Sequence, residues 1–131
     1  MVTPPNGIDL TGRTAFAELA GVLAGASAVV VGNTGPAHLA AAVGTPVVSV
    51  FAPVVPWERW RPWRVPTVRL GDQAAACRLT RARTCPVSGH PCTTSVTGRA
   101  VVDAVRSLVG DPAPGTAPTL AGSRAPVVSA S

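Results

Sequence analysis

The stretch GNTGPAHLAAAVGTPVVSVF, Gly32 to Phe51, decides the fold of this chain. It is entered from Ala28–Val31, a short apolar run rich in β-branched residues, the pattern of a strand buried on both faces of a parallel sheet. Thr34 is a good helix N-cap. Pro36 is tolerated in the first helical turn, where its missing N–H has no partner inside the helix anyway. The predicted helix continues through Leu39 to Val43 and ends at Gly44, a glycine just past the last helical residue. Pro46 to Phe51 reads as a second buried strand. Strand, helix and strand, joined by only a few residues each, are the rhythm of an α/β fold with a parallel sheet.

Working outward, Thr14 can cap a helix reaching about Ala26, with Phe16, Leu19, Val22, Leu23 and Ala26 on one apolar face. Beyond Phe51 lies a Pro- and Trp-rich stretch holding Trp57, Trp60 and Trp63, then a short strand at Thr67–Leu70 and a segment with all three cysteines. A last amphipathic helix is predicted from about Thr97 to Val109, burying Val101, Val102, Val105, Leu108 and Val109, and stopped by Gly110. The expected organisation is one α/β domain over residues 1–109. Residues 110–131, mostly Pro, Ala, Gly and Ser, are expected to form a disordered tail, because they cannot bury enough surface to offset the entropy of ordering.

Composition narrows the function classes. The chain has 131 residues and is 47% hydrophobic, so a core is possible, but it contains two Phe, three Trp and no Tyr. The apolar residues are mainly Ala and Val, so burial per residue is modest. All eleven basic residues are Arg, and against six acids they give a formal charge of +5. Such a balance invites a nucleic-acid reading. The Arg residues are scattered rather than gathered on one periodic face, which argues against nucleic acid as a partner. No run approaches the ~20 apolar residues of a membrane span. Met1 to Asp9 lacks the pattern of a secretory signal, and three cysteines do not suit a secreted disulfide framework, so the cytoplasm is the expected location.

The chemistry is concentrated at Asn33, Thr34, Gly35, Pro36 and His38, between the carboxyl end of a buried strand and the start of a helix. Ligands of open α/β sheets bind at that edge. The first helical turn offers unpaired N–H groups and the positive end of the helix dipole, and Gly35 has no side chain to hold an anion away from them. Thr34 and His38 add side-chain donors. The turn therefore suits a phosphate or diphosphate. A plainer reading also exists, since any strand-to-helix turn favours a small residue and a cap.

Taken whole, Asn33 to Pro53 resembles the signature of the lipopolysaccharide heptosyltransferases, glycosyltransferase family 9, in which an Asp precedes Thr-Gly-Pro and a Phe-Gly-Pro closes the stretch. Leu10 to Thr14 with Glu18 to Ala20 resembles the family's preceding helix entry, and Cys85-Pro86 with His90-Pro91-Cys92 resembles its Cys-rich segment, so the likeness spans about Ile8 to Val109. The resemblance implies a partial Rossmann-like parallel sheet, the C-terminal half-domain of a two-domain GT-B glycosyltransferase. It implies a nucleotide-sugar donor such as ADP-heptose, with Asn33, Thr34, Gly35, Pro36 and His38 at the donor diphosphate, and transfer to a cell-envelope glycan acceptor. No separate cofactor is implied.

The departures bear on activity. Asn33 stands where the family has Asp, and an amide can neither act as a base nor carry charge. Ala52 stands where the family has Gly. The chain has no Lys, and by the resemblance the acceptor-binding N-terminal domain and the Lys and Glu that reach the donor's phosphates and ribose have no counterpart here. The isolated chain is therefore expected not to catalyse transfer, and no catalytic residue is assigned. The missing GT-B half, or a partner chain, is expected to complete it. The strand at Ala28–Val31, or its neighbour, is expected to present an open edge. The alternatives are a catalytically inactive nucleotide-binding paralogue and a basic nucleic-acid-binding module built on the Trp/Arg stretch.

Cys77, Cys85, His90 and Cys92 carry the only metal-like pattern. Three thiols and an imidazole can complete a tetrahedral zinc site, but the spacing lacks a Cys-x-x-Cys pair, so they are weak candidates beside buried thiols or a reversible disulfide.

Overall fold

The computed structural model describes residues 7–110 and 127–130. In chain order they form α1 (Phe16–Ala24), β1 (Ala28–Gly32), α2 (Gly35–Ala42), β2 (Val47–Val50), α3 (Trp57–Trp60), β3 (Thr67–Leu70), α4 (Pro91–Thr94), α5 (Gly98–Val109) and β4 (Val127–Ala130). The four strands make one all-parallel sheet in the order β3-β2-β1-β4, with Val29 opposite Val47 and Val47 opposite Thr67. This is the expected α/β, partial Rossmann-like architecture.

The core explains why these elements form. Leu23, Ala26, Val29, Val31, Ala37, Ala40 and Val47 make one buried cluster beneath α1 and α2. Ala37 and Ala40 are small and fully covered, so α2 lies close on β1 and β2. Fully burying each Val or Leu here contributes about 1.5–3 kcal/mol. Helix α5 crosses β1, β2 and β3 without joining that cluster, which puts it on the sheet's other face. Thr45 fastens the two ends of this unit: its buried hydroxyl donates 2.8 Å to the carbonyl of Leu23, in the last turn of α1, where carbonyls lack a helical partner.

Several expectations need correction. The cap of α1 is Ala15, not Thr14; the Glu18 carboxylate accepts from the Ala15 N–H at 2.7 Å, so the acid one turn in supplies the capping bond. Phe16 is exposed rather than part of the apolar face. On α5, Ala104 is buried and Val101, Val105 and Leu108 are half-buried, whereas Val102 and Val109 are exposed. Positions 101, 104, 105 and 108 make one stripe at 3.6-residue spacing, and 102 and 109 fall roughly a quarter-turn off it. Thr97 does cap α5, accepting from the Ala100 N–H at 3.1 Å.

The tail departs most. Val127–Ala130 is a strand, pairing Ala28 with Val127 and Val29 with Val128, so the expected open edge of β1 is covered. Two adjacent valines give this segment the strand tendency that the surrounding composition lacks. Residues 111–126 lie outside the described residues.

Candidate functional site

Because the sheet is parallel, the carboxyl ends of β1, β2 and β3 share one edge, and the residues after them are tied together there. The Asn33 side chain reads both backbone groups of Ala52: its Nδ2 donates to the Ala52 carbonyl at 3.4 Å, and its Oδ1 accepts from the Ala52 N–H at 3.3 Å. After β3, Gln73 Nε2 donates to the carbonyls of Phe51, at 2.9 Å, and Gly71, at 3.1 Å. Gly71 has φ +110, and a Cβ on it would lie 2.7 Å from the Cys92 carbonyl oxygen and 2.9 Å from that of Phe51. Only glycine fits there.

Against this stitched edge, the start of α2 stands open. Thr34 is extended (φ −128, ψ 177) and exposed, and its hydroxyl makes no capping bond. Its carbonyl accepts from Ala37 N–H at 3.0 Å, and its own N–H donates to the Gly32 carbonyl at 2.9 Å. Gly35 is exposed, its φ lies outside the left-handed region, and a Cβ built on it would meet nothing within 4 Å. Neither backbone conformation nor internal packing therefore asks for glycine at this position, and the space before the turn is clear. Pro36 is half-buried, and His38 is exposed one turn into the helix, while Ala37 and Ala40 turn to the sheet. No acid sits in the first turn of α2, so the positive end of the helix dipole is not neutralised locally.

The five candidate residues thus divide. Thr34, Gly35 and His38 are open to solvent at one helix start, Pro36 shapes it, and Asn33 spends its amide on the β1–β2 junction. An Asp here could keep only the bond from the Ala52 N–H and would set a carboxylate oxygen against the Ala52 carbonyl. Gln73 and Gly71 were not legible as neighbours of this edge; the available signal was a glycine followed by polar residues at the end of the third apolar strand.

The cysteine segment gathers thiols without forming a ligand set. Cys77 and Cys92 are buried with Ala75 in a second, smaller cluster, packed against Ala52, Val54 and Val87. Cys85 is half-buried and its S–H donates to the Val87 carbonyl at 3.1 Å. Burial, then the neighbouring Cys77 and Cys85, push the Cys92 thiol above its ordinary range. His90 is exposed in a left-handed conformation (φ 50) at the start of α4. Among the described residues no three of His, Cys, Asp or Glu converge as metal ligands, and the three cysteines are free thiols.

Fold and turn together define the class: a Rossmann-like α/β unit whose open helix start lies on the carboxyl edge of its sheet. The profile of the family described as Glycosyltransferase family 9 (heptosyltransferase) matches residues 3–90, and the chain belongs to this glycosyltransferase family. That match ends before Cys92, α5 and β4. No curated protein and no solved structure matches the chain significantly. No helix among the described residues is long and apolar enough to cross a membrane.

Proposed function

We propose that the start of α2 binds the diphosphate of a nucleotide-sugar donor, such as ADP-heptose, as the donor-side half of an enzyme that transfers the sugar to a cell-envelope glycan in the cytoplasm. The observation that carries the reading is Gly35. It is a glycine with no conformational or packing reason to be one, at the first turn of a helix, on the ligand-binding edge of a family 9 glycosyltransferase sheet. On this reading a diphosphate oxygen approaches the backbone at Gly35, the unused Thr34 hydroxyl donates to it, and the His38 imidazole contacts it from the next turn. Pro36 pre-sets the helical φ there. Transfer itself needs an acceptor-binding second half, in the same polypeptide or another, since the described residues hold a single four-stranded sheet.

The test is a thermal melt of the full chain with ADP and with ADP-heptose. A ligand at a hundred times its Kd stabilises by about 2.7 kcal/mol, so a clear rise in Tm is expected. Gly35→Val fills only empty space, so it should melt close to the native chain yet lose the response. An absent response, or one undiminished in Gly35→Val, would contradict the reading. One observation favours a second version, binding without transfer: Asn33 removes the family's carboxylate and is occupied by Ala52. Product formation with an acceptor-binding half supplied would eliminate that version.

A further inference from the structure

The Trp- and Arg-rich segment between β2 and β3 is not used by the donor turn, and it lines a half-open cavity of about 340 Å³. Trp57, Trp63, Arg61 and Arg64 line it, together with Val65 and Thr67 at the amino end of β3. Since the strands are parallel, that end of β3 is opposite the edge carrying Asn33 and Thr34. We infer that this cavity is a second anion site, taking a small phosphorylated ligand on Arg61 and Arg64, separate from the start of α2.

Charge and geometry both support it. Residues 57–69 hold four Arg and one acid, Glu58, and no acid lines the cavity. The ion pairs of the described residues are on α5, where Asp103 faces Arg99 and Arg106; Arg61 and Arg64 hold no carboxylate. Aromatic faces hold the neighbouring guanidiniums instead: Arg61 lies 5.9 Å from the centroid of Trp63, and Arg69 lies 4.9 Å from that of Trp57. A guanidinium held by a ring keeps its N–H donors for an oxyanion, with no ion pair to break and less freedom to lose on binding. Arg64 adopts φ 58, a left-handed conformation unfavourable for a long side chain, at the rim of the same cavity.

The arrangement is poorly suited to stacking a nucleic-acid strand. Trp57 has its ring against the edge of Phe51 at 5.0 Å and 84°, with Arg69 over it. Trp60 is exposed but does not line the cavity, and Trp63 beside it already has Arg61 over one face, whereas a strand platform needs successive open faces.

All three tryptophans of the chain lie in this segment, so intrinsic fluorescence reports on it without a label. Titrating the full chain with inorganic pyrophosphate should give a saturable change. Arg61→Ala with Arg64→Ala should weaken it about tenfold or more, the loss expected for charge-assisted hydrogen bonds. Arg61→Lys should recover part of the loss, and Arg59→Ala, outside the cavity, should change little. Gly35→Val should leave the titration unchanged, so the donor reading and this one can fail separately. The inference is overturned by no saturable change, by equal affinity in the Arg61/Arg64 variant with unchanged circular dichroism, or by binding of a single-stranded oligonucleotide where pyrophosphate gives none.

Discussion

Residues 28–51 supply the two central strands of the sheet and residues 52–96 one edge strand, and the two regions are held in different ways. The first unit is two apolar strands and a helix with two buried alanines, and burial dominates its layout: Val29, Val47 and Ala40 are wholly inaccessible. The second has one four-residue strand, two four-residue helices and long irregular connections. Its shape rests on separate bonds, such as Leu79 N–H to the Pro53 carbonyl at 2.8 Å, Arg81 N–H to that of Val54 at 2.9 Å and Asp72 N–H to that of Cys92 at 3.0 Å. Among the described residues, the four non-glycine positions with positive φ, Arg64, Leu79, Arg81 and His90, all belong to it. A unit made by burial tolerates polar change at its rim and fails when its interior is charged. A unit made by individual bonds fails one bond at a time.

Substitutions in each region test that difference. The largest effect is expected from Val47→Asp, which places a carboxylate in the centre of the sheet; burying an unpaired charge there exceeds the roughly 5–15 kcal/mol stability of a whole domain, and circular dichroism should show no cooperative melt. Gly71→Ala should come next, at about 1–3 kcal/mol or more from its strained φ plus its collision with two carbonyl oxygens, read as a lowered urea midpoint. Retention of full stability would show that the Phe51–Gly71–Cys92 junction is looser than described. Asn33→Asp should cost about 1 kcal/mol by leaving the half-buried Ala52 carbonyl without its donor; an equal or higher urea midpoint would mean the Asn33–Ala52 pair does not hold β1 to β2. Ser49→Ala is the smallest and should have the opposite sign. The Ser49 hydroxyl is fully buried with no hydrogen-bond partner, so its removal should leave stability unchanged or raise it by up to about 1 kcal/mol.

The cysteines add a pH-dependent contrast. The Cys92 thiol is pushed up by burial and by its neighbours, so the folded chain holds that proton more tightly than the unfolded chain. Between the ordinary thiol range and the raised one, the folded state binds more protons, and its stability falls as pH rises through that window. Alkylation at mildly alkaline pH should therefore modify half-buried Cys85 first, and Cys92 only as the fold opens; equal rates at both would contradict the packing of the second cluster.

The same difference explains what the sequence disclosed. Ala28–Val31, Thr34 to Gly44 and Thr67–Leu70 were legible because buried strands and a proline-started, glycine-ended helix carry local signatures. The position of the turn between β1 and α2 was legible for the same reason, but the commitment of the Asn33 amide to Ala52 was not, since it joins positions nineteen residues apart. The role of Ala15 and Glu18 in capping α1 was hidden behind the better cap residue at Thr14. The pairing of Val127–Ala130 with β1 is a long-range contact that no periodicity announces, and two valines in a Pro/Ala/Gly-rich stretch give little local warning of it.

On the proposed reading, the open start of α2 receives the donor's diphosphate, and no other part of this family 9 chain does. The most direct measurement is a two-dimensional amide spectrum of the ¹⁵N-labelled full chain during titration with ADP. The largest shifts should fall on Thr34, Gly35, Ala37 and His38, and Gly35→Val should abolish them while any smaller shifts at Arg61 and Arg64 persist. Shifts confined to Arg61–Val65, or none at α2 at saturating ADP, would contradict it.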